Sequence, residues 1–152
     1  MSLARAKSEG WATGSEQPRF ARHISDDYKV LARTASRGKS GRVWHATHEK
    51  TGRCVTVKTF GLQATYPGAR NIVYAGLVAH GKLDHKHIVN ILDVYVSHFA
   101  VHVVMELLEG GDLCAALAQR GKFSEEETKV VLRQLIMAVD HMHQNNIVHR
   151  DI

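Results

Sequence analysis

Two glycines and a lysine are the residues whose types and spacing first indicate a chemical task. Gly38 and Gly41 lie three positions apart in residues 36–43, SRGKSGRV, and lack a Cβ atom, so the backbone there can bend tightly and approach a ligand closely. Backbone N–H groups at such a corner can hold phosphate oxygens. Lys58 ends the alternating run CVTVK and would bring a full positive charge to the same phosphates. In isolation, an ordinary exposed strand lysine is the alternative interpretation.

Five strands are predicted to position these residues. They are β-rich or alternating runs bounded by turn residues, at 28–34, 42–48, 53–60, 87–96 and 99–107. Residues 49–52 form a hairpin turn, with Gly52 where a positive φ is needed. A helix over 67–82 is poorly specified, because each interior glycine costs up to about 1 kcal/mol relative to alanine.

The pattern changes from strand to helix after Gly111. A short helix is predicted at 113–119, and Ser124 with Glu127 forms a capping box that begins a longer helix. Residues 147–148 are predicted as a brief strand that leads into His149-Arg150-Asp151. The predicted fold class is therefore α+β, with strands and one helix first and helices afterwards.

Composition limits the classes of function. A chain of 152 residues with 44% hydrophobic and 23% charged residues suits one ordinary globular domain. No apolar stretch reaches the roughly 18 residues expected of a membrane span. Cys54 and Cys114 form no disulfide framework, so an intracellular, cytoplasmic location is the default expectation. The net charge of +5 fits a nucleotide ligand or a solvated basic surface, and no nucleic-acid motif is present.

Several stretches, in the right order, resemble a eukaryotic protein kinase domain. Residues 36–43 resemble its glycine-rich loop G-x-G-x-x-G-x-V, and residues 55–58, VTVK, resemble its V-A-I-K motif. Residues 83–89, LDHKHIV, are similar to the family's L-x-H-P-N-I-V step, and residues 104–113, VMELLEGGDL, to its hinge. Residues 149–151, HRD, match the start of its catalytic loop. Order and register favour the Ser/Thr class, weakly the calcium/calmodulin-dependent-like group.

The resemblance implies a domain plan. A mobile extension over 1–27 would precede a small lobe over 28–106, built from a five-stranded antiparallel sheet and one helix. The hinge and a partial large lobe would follow over 107–152. The ligand implied is ATP with Mg²⁺, and the partners implied are a protein substrate or a regulatory protein.

The resemblance also implies roles for individual residues around the phosphates and the ribose. Gly38 and Gly41 would cover the ATP phosphates, and Lys58 would contact the α- and β-phosphates. Asp112 would lie near the ribose. Asp151 would orient the substrate hydroxyl and accept its proton. No residue of this chain is implied as a metal ligand, since the family's Mg²⁺ ligands would lie past Ile152.

A second group of implied roles surrounds the base. Val43 and Thr56 would cover the adenine ring, and Met105 would sit behind it. Backbone groups of Glu106 and Leu108 would hydrogen-bond the adenine edge. These residues complete the nucleotide site that the resemblance implies.

The chain departs from the family pattern at the partner of the lysine. The family's small-lobe helix supplies a glutamate that pairs with this lysine, but alignment puts Gly76 there, and no Asp or Glu occurs between Gly61 and Leu83. Lys58 would then be held less firmly, and a displacement of about 1 Å can cost on the order of a hundredfold in rate. Ser36 and Thr56 are smaller departures, from a glycine and an alanine.

Three functions remain open from the sequence. The first is a Ser/Thr protein kinase domain that transfers the ATP γ-phosphate to protein hydroxyls. The second is a pseudokinase-type binding module, which the missing helix acid favours. The third is an inactive fragment, because the chain ends one residue after Asp151 and would be inactive alone. Paired histidines such as His85 and His87 invite a zinc interpretation, but packed or solvated histidines are favoured.

Overall fold

The computed structural model describes residues 23–31, 37–38, 41–62 and 69–152, with backbone alone at residues 37, 38, 41, 69 and 70. It begins with a short 3₁₀ helix at Ile24–Asp26. The strands are β1 (Tyr28–Val30), β2 (Arg37–Gly38), β3 (Gly41–His48), β4 (Cys54–Gly61), β5 (Ile91–Val96) and β6 (Ala100–Glu106). The α-helices are α1 (Ala69–Gly81), α2 (Leu113–Arg120) and α3 (Glu125–Gln144).

The strands form one antiparallel sheet. Five of them follow the order β1-β3-β4-β6-β5, and the two-residue β2 pairs with β3 beside that path. The turn between β3 and β4 contains Gly52 with φ of 69°, as the sequence predicts. All five predicted strands are present, and β2 is an addition to them.

The chain divides into two compact units. The first contains the described residues up to Lys82 together with Asn90–Leu107, which hold the sheet and α1. The second contains Leu83–Val89 and Leu108–Ile152, which hold α2 and α3. The second unit is thus formed by two separate segments of the chain, and the predicted lobe boundaries stay a prediction.

One face of the sheet, here called the tyrosine face, joins the start of the chain to β5. The Tyr28 hydroxyl donates to Oδ2 of Asp93, and the Tyr95 hydroxyl donates to Oδ2 of Asp27, both at 2.8 Å. All four residues are buried beside Ile24. Burial, reinforced by these hydrogen bonds, raises the pKa of both tyrosines, and burial raises the pKa of Asp93. Residues 23–27 of the predicted extension are therefore packed onto the sheet.

The opposite face, here called the helix face, packs against α1. Leu77 of α1 is buried with Ile91, Val96, Val101 and Val103 from β5 and β6. Side chains of a strand alternate between faces, so β6 supplies Val101 and Val103 here and His102 to the tyrosine face. The helix expected over 67–82 forms at Ala69–Gly81 despite its glycines, because this apolar contact outweighs their weak propensity.

The second unit confirms the capping box and corrects two strand predictions. Ser124 accepts from the Glu127 N–H while Glu127 accepts from the Ser124 N–H, so α3 begins where predicted. The predicted strand at 87–96 begins only at Ile91, because residues 85–88 form a turn in which the Ile88 N–H donates to the His85 carbonyl. The strand predicted at 147–148 is wrong, since these residues pair with no other strand.

Candidate functional site

The strand register brings four of the predicted site residues to the helix face. Val43 of β3 lies directly opposite Lys58 of β4, and Thr56 of β4 lies opposite Met105 of β6. Directly paired residues of an antiparallel sheet project from the same face, and the intervening Val57 is fully buried on the tyrosine face. The result is one patch in which a cationic amine is surrounded by small or apolar side chains.

The two predicted glycines face each other next to this patch. Gly38 pairs with Gly41, and Arg37 pairs with Arg42, so β2 and β3 make a tight hairpin. Val43 follows Gly41 by two residues and pairs with Lys58, so the hairpin lies next to the patch. Residues 39–40 lie outside the described part of the chain, so the predicted phosphate cradle remains a prediction.

Lys58 makes an aromatic contact. Its Nζ lies 5.2 Å from the centroid of the Phe60 ring, two residues along β4 on the same face. Both side chains are half-buried, and Phe60 packs against the cluster that contains Leu77. No ion pair between Lys58 and an acidic side chain occurs in the described residues. The sequence reasoning missed Phe60, although its spacing of two from Lys58 on a strand was a usable signal.

The end of β6 is held by Asn90. Glu106 Oε1 accepts from the Asn90 backbone N–H at 2.7 Å and from its Nδ2 at 3.2 Å. The Glu106 N–H in turn donates to the Asn90 carbonyl at 3.2 Å. The Glu106 N–H is therefore already engaged within the protein, and the predicted contact of Glu106 with adenine stays a prediction. Asn90 was missed by the sequence analysis, since no local pattern links residues sixteen apart.

Two further predicted residues belong to the second unit. Leu108 is exposed just before α2. Asp112 is the N-cap of α2, where its Oδ1 accepts from the Ala115 N–H at 2.7 Å. This cap satisfies one of the backbone donors that a helix start leaves open. Asp112 therefore stabilises the start of α2. Its predicted position near a ribose stays a prediction.

Asp151 is exposed at the end of the second unit. Its N–H donates to Nδ1 of His149 at 3.2 Å, which links two residues of the HRD motif. Arg150 between them has φ of 69°, a left-handed conformation that costs a non-glycine residue of order 1 kcal/mol or more. Backbone strain of this kind clusters at functional sites. The predicted catalytic role of Asp151 stays a prediction.

The described residues offer neither a metal-binding cluster nor a membrane-spanning helix. Within the described ranges, no group of three or more His, Cys, Asp or Glu side chains is placed to hold a metal ion. His85 stacks face to face on His141, with centroids 5.1 Å apart, and this is a packing contact. Among the described helices, none has the length and apolar character of a membrane span.

Comparisons with known proteins agree with this arrangement. The sequence model of the protein kinase domain matches residues 31–152. Serine/threonine-protein kinase 33 of Mus musculus is 30% identical over 127 residues, which cover 84% of this chain and 26% of that protein. The calcium/calmodulin-dependent protein kinase cmkA of Emericella nidulans is 37% identical over 91 residues, which cover 60% of this chain and 22% of that protein.

A solved structure is similar as well. The crystal structure of Rad53 residues 1–466 in complex with AMP-PNP superimposes with a TM-score of 0.76 at 28% identity. The match covers 85% of this chain and 33% of that chain. The chain thus spans about a quarter to a third of the length of these relatives.

Proposed function

Because the chain belongs to the protein kinase family, we propose that it binds ATP on the helix face of its sheet. The observation that carries the proposal is the patch in which Lys58 shares one face with Val43, Thr56 and Met105. A cation at the centre suits the α- and β-phosphates, and the surrounding small and apolar side chains suit a base. In Rad53, the solved relative, the bound ligand is AMP-PNP, an analogue of ATP.

The remaining contacts follow the family's pattern. The hairpin of Gly38 and Gly41 covers the phosphates with backbone N–H groups. In the first unit, the Glu106 carbonyl is the proposed acceptor at the adenine edge. The Glu106 N–H already donates to the Asn90 carbonyl, which supports an acceptor role for Glu106 toward adenine. The roles of Leu108 at that edge and of Asp112 near the ribose are what the resemblance implies for residues of the second unit.

The reaction proposed for the family fold is transfer of the ATP γ-phosphate to a Ser or Thr hydroxyl of a protein. Asp151 orients that hydroxyl and accepts its proton, and the strained backbone at Arg150 supports its role. Mg²⁺ would supply charge neutralisation at the β- and γ-phosphates. We propose that this 152-residue chain, by itself, binds nucleotide without transferring phosphate.

A binding module without phosphotransfer is the second candidate. The observation that favours it is the absence of any Asp or Glu between Gly61 and Leu83, where the family's helix glutamate would lie. Such a module would hold nucleotide weakly and act through a protein partner.

Calorimetric titration with MgATP tests the nucleotide site. Wild type is expected to bind, Lys58→Ala to bind at least tenfold more weakly, and Lys50→Ala, which removes an exposed lysine from the β3–β4 turn, to match wild type. At 100 times the dissociation constant, ATP should add about 2.7 kcal/mol of stability. Equal binding by all three proteins, or none by wild type, would overturn the proposed site. We expect no phosphate transfer to a serine peptide by wild type, and transfer that is abolished in Asp151→Asn would overturn the expected inactivity of this chain.

A further inference from the structure

We propose that the Phe60 ring holds the Lys58 ammonium in position, in place of a helix carboxylate. The proposal rests on the proposed function for its ligand, since Lys58 is taken to meet ATP phosphates. It makes Phe60 a positioning residue that acts on the nucleotide through Lys58.

The geometry is that of a cation–π contact. Lys58 Nζ lies 5.2 Å from the ring centroid, inside the limit of about 6 Å at which a cation is attracted to an aromatic face. The two residues are separated by one position on β4, so the strand itself keeps them on the same face. This placement of the two side chains needs no carboxylate from α1.

The ring is itself held in place. Phe60 packs against the buried cluster formed by α1 and the helix face, which includes Leu77, Val101 and Val103. A packed ring offers a fixed surface to the amine, and its apolar surroundings strengthen the attraction by excluding water. Lys58 is thereby restricted without a direct hydrogen bond.

Neither α1 nor the strands next to Lys58 supply a carboxylate that contacts its amine among the described residues. The α1 sequence, ARNIVYAGLVAHG, contains no carboxylate, and Gly76 has open space where a side chain would extend. Glu106 accepts twice from Asn90, and Asp93 accepts from Tyr28 on the tyrosine face. In this part of the chain, the amine therefore contacts the Phe60 ring.

An aromatic partner has a functional consequence. A carboxylate takes one or two N–H donors of the ammonium, whereas a ring takes none in a directed hydrogen bond. All three N–H donors of Lys58 then remain for phosphate oxygens. Because no carboxylate is involved, the position of the amine should also depend little on pH between 4 and 8 and little on salt.

The test uses NMR of the full chain with ¹³C-labelled lysine, in which Lys58→Arg identifies the Lys58 signal. The Hε resonances of Lys58 should lie upfield of the other lysines because of the ring current. They should return to the ordinary position in Phe60→Leu and stay upfield in Phe60→Tyr. Phe99→Leu makes the same change at an exposed turn residue and should alter nothing.

ATP affinity is measured on the same proteins. Phe60→Leu should weaken MgATP binding about fivefold, with Phe60→Tyr and Phe99→Leu within twofold of wild type. An ordinary Lys58 signal in wild type would overturn the proposal, as would unchanged ATP affinity in Phe60→Leu. If the upfield signal is present and is lost in Phe60→Leu, but no protein binds ATP, the ring contact stands and the proposed nucleotide site fails.

Discussion

The two compact units of this chain differ in how completely they bury their apolar side chains. In the first unit, Val55, Val57, Val101 and Val104 are fully buried within the sheet. In the second, the buried hydrophobic side chains are few among the described residues, and α3 leaves Val130, Leu132 and Ile136 exposed. Leu132 and Ile136 lie one turn apart on α3, and Val130 lies on another side of the helix. The first unit therefore has a core of fully buried side chains, whereas α3 of the second leaves several apolar side chains exposed.

The same contrast separates the two halves of the proposed chemistry. The patch of Lys58, Thr56 and Met105 that we propose for the nucleotide lies on the sheet whose core is fully buried. Asp151, which we propose for the transfer step, is exposed in the second unit. The two proposed steps therefore belong to units that differ in burial.

A matched pair of leucine truncations tests whether the two units differ in burial. Leu77→Ala removes a buried side chain of the first unit, and Leu132→Ala removes one that is 49% exposed on α3. We expect a loss of about 3 kcal/mol in the free energy of unfolding for Leu77→Ala and within about 0.5 kcal/mol for Leu132→Ala. Urea denaturation, followed by circular dichroism, measures both. Equal losses would show that α3 is covered and that the contrast is false.

A smaller loss is expected from the tyrosine face. Tyr95→Phe removes the hydroxyl that donates to the buried Asp27 carboxylate, which should cost about 2 kcal/mol. Urea denaturation of Tyr95→Phe, Asp27→Asn and the double variant gives the coupling between the two residues. Additive losses would mean that the hydrogen bond does not fasten the start of the chain to β5.

A third prediction concerns the missing helix acid. Gly76→Glu introduces a carboxylate into open space on α1, and Gly76→Gln is its uncharged match. Both should stabilise α1 by up to about 1 kcal/mol, because a glycine is replaced within the helix. In a Phe60→Leu background, Gly76→Glu should restore most of the fivefold loss in ATP affinity, and Gly76→Gln should not. Equal rescue by both would assign the effect to helix stability.

The smallest effect is a dependence on pH. Burial raises the pKa of Asp93 above its ordinary value of 3.8, so the folded protein holds the proton more tightly than the unfolded chain. The stabilisation from this group is complete below pH 3.8 and is lost as the pH rises through the raised pKa. Wild type should therefore lose stability relative to Asp93→Asn as the pH rises from 4. A difference that is constant with pH would contradict this.

Much of the first unit could be predicted because strand periodicity is local. The alternation in residues 54–58 correctly separates Val55 and Val57 from Thr56 and Lys58, and the turn at Gly52 needs only local backbone preference. Ser124 and Glu127 likewise reveal the start of α3 within one turn.

Contacts between distant residues could not be predicted in this way. Tyr28 meets Asp93 across 65 residues of sequence, and Asn90 meets Glu106 across the turn that joins β5 to β6. The strand predicted at 147–148 failed for a related reason: β-branched residues favour a strand only where a partner strand is available. The contact between Phe60 and Lys58 could be predicted from their spacing on one strand. The packing of the Phe60 ring against α1 could not, because it joins residues that are distant in the sequence.

The central claim is that the Lys58 amine on the helix face binds the phosphates of ATP. The most direct measurement is a titration of ¹³C-lysine-labelled protein with MgATP, followed through the Lys58 Hε signal. We expect a saturable displacement of this signal with the dissociation constant found by calorimetry, and no displacement of the Lys50 signal. A Lys58 signal that stays fixed while ATP saturates the protein would contradict it.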